Sequence, residues 1–392
     1  PRPNWAFWCI EDTIYGNPDK YIDPIDFSTS SGYYFKKKGK TRRMLFFDTA
    51  GNRRVDPEVL EQVAEYRQMC RERHVFPRGI FEGQLKSELR PMDRVRLGKT
   101  RGFFNGHVSH FIWVKMVLGP AIQWLKSHRG QTTTAIGTNP HGLDWQTLYK
   151  KILEDPLGQK LFGGGAYSGY DTSLNSYWGW MLGLMFNDIY GFERESDDWW
   201  EVMGCCVSSV APMLILGYGI FDLLWMNPSG SFLTGVLNSF VNHCIFKQIF
   251  ELEKSRCKMT GCGCGFDEAV WLRDVVAEFY GDDNLFSVLK KYGHHYTMEL
   301  LAGYIEHLWG MEFTTPSKEA ISKSHLPLEE LEFLKRKFKV EGSLVKAPLD
   351  EESIEAMLLW VRPGDDLTEQ LSINTKMAMM EYYHHGEEKF EE

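Results

Sequence analysis

The sequence predicts an α+β fold in which an antiparallel sheet is flanked by helices, and three stretches carry that expectation. Val275-Val276-Ala277-Glu278-Phe279-Tyr280 and Leu285-Phe286-Ser287-Val288 have β-branched and aromatic content on either side of Gly281-Asp282-Asp283-Asn284. They read as a hairpin whose turn is freed by Gly281. Residues from Asp56 to about Arg73 place Val59, Leu60, Val63 and Tyr66 at helical spacing, and Val108 to His128 reads as a further helix. Asn227-Pro228-Ser229-Gly230 then breaks the chain. A helix of about five turns is expected from near Ser231, with Thr234, Asn238 and Asn242 on one face.

A chain of 392 residues supplies two or three domain-sized pieces. Its 43% hydrophobic and 25% charged content is ordinary for a globular protein, and 13 Trp favour extensive packed surfaces. The net charge of −9 argues against a uniformly basic nucleic-acid coat but leaves room for a local basic channel. Eight Cys, Cys205-Cys206 among them, follow no secreted disulfide spacing, so a reducing compartment is expected. No signal peptide opens the chain. The apolar run from Ala211 to Met226 is broken by Asp222 and is too short for a transmembrane segment. Pro1 in place of Met points to a processed product or a fragment. The balance is that of a cytoplasmic protein.

Two basic stretches stand out. A Ser/Gly loop (Ser28 to Gly32) and two tyrosines lead into Lys36, Lys37, Lys38, Lys40, Arg42 and Arg43, a mix suited to a nucleic-acid backbone with stacking on ring faces. Between Lys86 and Arg101 six cations face two acids. Lys86, Arg90 and Arg94 recur every fourth residue, while Arg94, Arg96, Lys99 and Arg101 suggest a strand-like segment with one charged face. Arg forks and Lys point charges converging on one surface suit a triphosphate. For both stretches the alternative is a solvated face.

Asp144 is expected to cap a helix running to about Leu153, and residues 178 to 225 look like packed helices. Cys257, Cys262 and Cys264, interleaved with glycines, match no strong zinc spacing, so a loop with free thiols is expected. His294-His295 and His384-His385 are assigned no chemistry. Glu332 to Phe338 alternates apolar and basic residues like a half-buried strand. Pro363-Gly364-Asp365-Asp366 reads as the N-cap of a helix from Leu367 onwards.

Adjacent carboxylates at a hairpin tip raise each other's pKa and repel unless a cation lies between them. Hard oxygen ligands with room for phosphate suit Mg²⁺. Taken in order, the motifs resemble those of picornavirus-like, positive-strand RNA virus RNA-dependent RNA polymerases over almost the whole chain. They are the Ser/Gly loop with its basic run (29–43), the Lys-Arg stretch (86–101) and Tyr-Ser-Gly-Tyr-Asp (167–171). Pro-Ser-Gly with Thr234 and Asn238, Tyr-Gly-Asp-Asp (280–283), Thr-Pro-Ser-Lys (315–318) and Phe-Leu-Lys-Arg (333–336) complete the series.

The resemblance implies a right-hand fold. Fingers would occupy 1–155, part of the fingertip being absent, with an insertion at 185–225. The palm would span 156–184 and 226–337, and a shortened thumb 338–392. It further implies template-directed nucleotidyl transfer from NTPs. Asp282 and Asp283 would hold two Mg²⁺ ions, with Mn²⁺ as a substitute, for in-line transfer. Lys318 would donate a proton to pyrophosphate. Arg90, Arg94, Lys99 and Arg101 would clamp the triphosphate, and Asp171, Ser229, Thr234 and Asn238 would read the ribose 2′-hydroxyl. Lys36, Lys38, Lys40, Lys86, Lys335 and Arg336 would contact RNA. Expected partners are RNA template and primer, NTPs and other viral replication proteins, in replication complexes of the host cytoplasm.

One departure matters. The family has an aspartate where this chain has Ala166, at the end of Gly163-Gly164-Gly165, where a buried strand would want β-branched residues. A methyl group cannot ligate a metal, and neither Asp155 nor Asp222 is spaced to substitute. A catalytically silent, polymerase-like RNA-binding protein is therefore the second expectation. A reverse transcriptase is the third, disfavoured by the Asp171–Asn238 pair.

Overall fold

A computed structural model of the chain describes residues 6–86, 92–224, 226–359, 361 and 366–391, the side chain of Arg94 apart. Its strands are β1 (Ile80–Leu85), β2 (Gly102–Gly106), β3 (Lys160–Ser168), β4 (Met213–Leu216), β5 (Gly219–Asp222), β6 (Val275–Tyr280), β7 (Asp283–Leu289), β8 (Glu312–Thr314), β9 (Lys339–Glu341) and β10 (Leu344–Lys346). They form sheets ordered β2-β1-β4-β5, β6-β7-β3-β8 and β10-β9. The described residues fall into two compact units interleaved in sequence. The first lies within Pro1–Ser87, Met92–Ser127 and Tyr170–Asn238, the second within His128–Gly169 and Ser239–Glu392.

In the first unit β1 runs antiparallel to β2 and parallel to β4, and β4 turns back into β5. The last two strands lie where packed helices were expected. Helices do occupy Ser176–Tyr190 and Asp197–Ser208, but Gly217, at φ 58°, allows a two-residue turn that closes Leu216 onto Gly219. The expected charged strand of the Lys-Arg stretch is also different. Met92–Arg96 is a short helix and β2 begins only at Gly102, so Arg94 and Arg96 do not share a strand face.

Three helices of this unit meet at one buried carboxylate. Glu201 is fully buried and accepts from Arg67 Nε at 2.8 Å, Arg71 Nη1 at 2.8 Å and the Trp113 indole N–H at 3.2 Å. Removing a partner would strand a charge in the interior, so the arrangement fixes Pro57–Arg71, Val108–Ser127 and Asp197–Ser208 against one another.

In the second unit the sheet is antiparallel throughout, with β3 between β7 and β8. This placement accounts for the three glycines. A Cβ on Gly163 would lie 2.3 Å from Phe286 Cζ, one on Gly164 2.9 Å from the Asn284 carbonyl, and one on Gly165 2.6 Å from both Phe313 Cζ and the Thr314 carbonyl. Aromatic rings from the flanking strands cover the bare backbone of β3, so the strand is buried without β-branched residues of its own. Around them Phe246 meets Phe279 at 5.1 Å, Phe286 at 6.0 Å and Phe313 at 6.3 Å. A second core stacks Trp145 on Phe338 at 4.6 Å, with Leu148, Val276, Leu285 and Phe333 around them. Glu278, buried on β6, pairs with Lys151; burial pushes its carboxyl up to about 7, against the pull of that ammonium.

Three local expectations are corrected here. Asp144 is not the cap of Leu143–Ile152: Gly142 occupies the cap, and Asp144 accepts from Arg129 at 2.6 Å and the Asn139 N–H at 3.0 Å. Glu332 to Phe338 is not a strand, because Leu334 (φ 56°) and Lys335 (φ 61°) make a tight turn that closes Phe333 onto Arg336. The helix expected to run about five turns extends over Thr234–Thr260, 27 residues. Asp366 does cap Leu367–Tyr382, accepting from the N–H groups of Thr368 and Glu369; the preceding Pro363 to Asp365 lie outside the described residues.

Gly163→Val should force Phe286 out of its place and destabilise the chain by about 1–3 kcal/mol. Thermal unfolding would show a lower Tm, and a variant melting with the parent would contradict this account of the glycines.

Candidate active site

The tip of the β6–β7 hairpin is built by a two-residue turn. Tyr280 pairs with Asp283, leaving Gly281 and Asp282 to connect the strands, with Gly281 at φ 65° as a type II′ turn requires at its first position. The tip is then held from the side by the long helix. Ser239 Oγ accepts the Gly281 N–H at 2.8 Å. The buried Asn242 amide donates to the carbonyls of Gly281 and Asp282 at 3.2 Å and of Asp283 at 3.4 Å, and its oxygen accepts from the Tyr167 hydroxyl at 2.9 Å. The polar stripe of that helix therefore fixes backbone at this position.

Both carboxylates are half-buried. The Asp283 carboxyl is pushed up to about 6, first by burial and then by the charge of Asp282; Glu332 adds to the rise, while Lys318 and the Leu334 N–H oppose it. Lys318 stands in the left-handed region at φ 67° and donates from Nζ to the Tyr167 carbonyl at 2.9 Å. The second unit thus gathers Asp282, Asp283 and Lys318, with Lys335 exposed on the turn that supplies the Leu334 N–H. A pair of crowded carboxylates with their own backbone pinned fits a hard divalent cation that keeps part of its water shell.

Ala166 contributes nothing to such a cation. The β3–β7 ladder ends at Gly165↔Asn284, one step short of Ala166 and Asp283, and Ala166 is 2% exposed. Asp155 is occupied by the N–H groups of Gln159 and Lys160, and Asp222, in the first unit, is paired with Arg78.

In the first unit a second polar constellation forms. Asn238 Nδ2 donates to Asp171 Oδ1 at 2.7 Å, and Asn227 Nδ2 donates to Asn238 Oδ1 at 2.7 Å. The Tyr170 hydroxyl donates to the Asn238 carbonyl at 3.0 Å. Thr234 Oγ1 donates to the Pro228 carbonyl at 2.9 Å, fastening the loop that carries the exposed Ser229. Gly230 serves a close approach of backbone to backbone. A Cβ there would sit 1.8 Å from the Phe104 carbonyl.

The basic residues divide. Lys36 pairs with Glu82 at 3.1 Å, Lys38 with Glu58, and Lys40 with Asp56 at 2.8 Å, all partly exposed. Lys99 and Arg101 are exposed, and the Lys86 N–H donates to the Arg101 carbonyl at 2.8 Å. Arg90 lies outside the described residues, and of Arg94 only the helical backbone is described. Arg336 is the exception to an RNA-facing role. It is 9% exposed and forks onto Glu381 at 2.6 and 2.7 Å, with a further bond to the Ala347 carbonyl, so its guanidinium holds structure.

Sequence reasoning did not find Asn227, Ser239 or the Leu334 N–H. Asn227 precedes Pro228 and was legible only as a chain break, and a backbone donor has no sequence signal.

Residues 16–392 match the family model for viral RNA-dependent RNA polymerase. The chain is 28% identical over 392 residues to the replicase polyprotein of Acute bee paralysis virus (strain Rothamsted), covering 97% of this chain and 20% of that protein. It is 25% identical over 422 residues to the replicase polyprotein of Cricket paralysis virus, covering 98% and 22%. It thus spans about a fifth of the length of these relatives. Among solved structures it is similar to the Sicinivirus 3Dpol RNA dependent RNA polymerase, with a TM-score of 0.76 at 19% identity over 98% of this chain and 74% of that one. The polymerase fold expected from the ordered motifs is the fold observed, and the chain belongs to the viral RNA-dependent RNA polymerase family.

Proposed function

We propose that this chain performs RNA-directed RNA synthesis, joining NTPs to the 3′ end of a primer by in-line nucleotidyl transfer. The observation that carries the proposal is the pair Asp282 and Asp283 at a pinned hairpin tip with the Lys318 ammonium beside them. In this reading the two carboxylates hold two divalent cations, Mg²⁺ or in its place Mn²⁺. Such ions would neutralise triphosphate charge and favour ionisation of the attacking hydroxyl. Asn242 and Ser239 keep the carboxylates in position, and Lys318 offers a proton to the departing pyrophosphate.

The remaining assignments belong to the same proposal. Arg90, Arg94, Lys99 and Arg101 bind the triphosphate. Asp171 and Asn238, locked to each other and to Asn227, present a fixed polar edge to the ribose 2′-hydroxyl, with Ser229 and Thr234 in the adjoining loop. Lys36, Lys38, Lys40, Lys86 and Lys335 bind RNA phosphates. The first three would exchange carboxylate for phosphate partners, which makes binding salt-sensitive. Other viral replication proteins and a host cytoplasmic replication complex are the proposed setting.

Ala166 favours a second reading, a polymerase-shaped RNA-binding protein without turnover, because the residue of β3 just past the Gly165–Asn284 end of its ladder with β7 is a buried alanine with no ligand atom. Primer extension separates the two. Asp283→Asn should reduce incorporation at least about 100-fold. Ala166→Asp should raise it, with cation affinity improved on the order of 10–100-fold. If the parent extends primer efficiently and Ala166→Asp changes nothing, the cation assignment fails. If neither incorporates NTPs under any divalent cation while RNA binding remains salt-sensitive, the second reading holds.

Asp171→Ala should lower the preference for NTP over dNTP by roughly 10–100-fold, the value of a hydrogen bond to a charged group. Competition between the two in extension would measure it, and an unchanged ratio would remove Asp171 from sugar recognition.

A further inference from the structure

Cys257, Cys262, Cys264 and His295 each bring one ligand atom into a group whose members all lie within 4.8 Å of one another. Three come from one stretch and the fourth from 31 residues further on, so no zinc spacing is legible along the chain. Cys257 lies in the last turn and a half of Thr234–Thr260. The chain then curls through Gly261, Gly263 and Gly265, all in the left-handed region at φ 65°, 68° and 75°, which turns Cys262 and Cys264 back towards it. Cys257 Sγ and Cys264 Sγ are 3.4 Å apart, and Cys264 Sγ is 3.4 Å from His295 Nε2.

The imidazole is prepared for a ligand role. His295 is 2% exposed and its ring stacks on Phe266 at 4.7 Å. Its Nδ1 lies 3.1 Å from Glu253 Oε2, leaving Nε2 towards the sulfurs. Glu253 is itself fully buried and held by the Tyr304 hydroxyl at 2.8 Å and by Arg256. A carboxylate on the far nitrogen is the usual orienting partner of a metal-bound histidine.

We propose that these four residues form a structural Cys₃His zinc site. Zn–S bonds of about 2.3 Å and Zn–N bonds of about 2.0 Å give tetrahedral edges of roughly 3.5–3.8 Å, close to the 3.4 Å of the Cys257–Cys264 and Cys264–His295 pairs, with all four ligand atoms inside 4.8 Å. Soft thiolates select zinc over Mg²⁺ or Ca²⁺, and four protein ligands leave no position for substrate. A disulfide would account for two sulfurs but not for a third thiol or for the Glu253-held imidazole. The site would staple the end of the long helix, whose Ser239 and Asn242 hold the hairpin tip, to the segment that follows β7. It does not depend on the proposed catalysis.

The test is metal analysis of the chain purified under reducing conditions without chelator. Close to one zinc per chain is expected, and exchange with Co²⁺ should give a thiolate charge-transfer band with intense tetrahedral d–d bands. His295→Ala and Cys264→Ser should lose the metal, Glu253→Gln should weaken zinc binding about 10–100-fold, and Cys9→Ser and His294→Ala should retain it. Should the ligand variants fail to fold, the Co²⁺ spectrum of the parent decides alone. A zinc-free parent with only a weak octahedral Co²⁺ spectrum, or a Cys257–Cys264 disulfide persisting in reductant, would overturn the proposal. So would loss of zinc in His294→Ala with retention in His295→Ala.

Discussion

One buried side-chain amide holds the hairpin tip of the second unit in place. Asn242 spans from the Tyr167 hydroxyl to three successive carbonyls at the Gly281–Asp283 turn, and Ser239 takes the Gly281 N–H. A two-residue turn with a glycine at φ 65° has little stiffness of its own. Burial first and then the adjacent Asp282 charge raise the Asp283 carboxyl, so two ionised carboxylates there repel. Without the helix beside it, that repulsion would be relieved by movement of the turn. The same hydrogen bonds tie the carbonyls of the tip to the helix, so positioning and stability have one cause.

The sheet behind the tip obeys a related constraint. Its central strand is bare over Gly163–Gly165 because Phe286, the Asn284 carbonyl and Phe313 occupy the space side chains would take. Ala166, the next residue, is also small and buried. The strand is therefore a packed floor, and the proposed cation site rests on the hairpin carboxylates, with Lys318 as the nearby positive charge.

Much of this was legible in the residues. Gly281 between two β-branched and aromatic runs announced the hairpin, and the four-residue spacing of Thr234, Asn238 and Asn242 announced a polar helix face. What that face touches was not legible: Asn238 meets Asp171, but Asn242 meets backbone, and backbone acceptors leave no mark in sequence. The β4–β5 hairpin was hidden because its short apolar runs read equally as helix until Gly217 is given its left-handed turn. Arg336 looked like a surface cation by alternation, yet its partner Glu381 is 45 residues away and decides its burial. The Cys257–His295 cluster escaped for the same reason: long-range pairing follows from packing, not spacing.

The dependence of the tip on one amide is open to direct measurement. Mn²⁺ binding, followed by electron paramagnetic resonance on the parent and on Asn242→Ala, reports on the carboxylates without requiring turnover. The account predicts that the variant folds with a modestly lower Tm and binds Mn²⁺ about 10-fold or more weakly. Equal Mn²⁺ affinity in the two proteins would show that the carboxylates are placed by something other than Asn242.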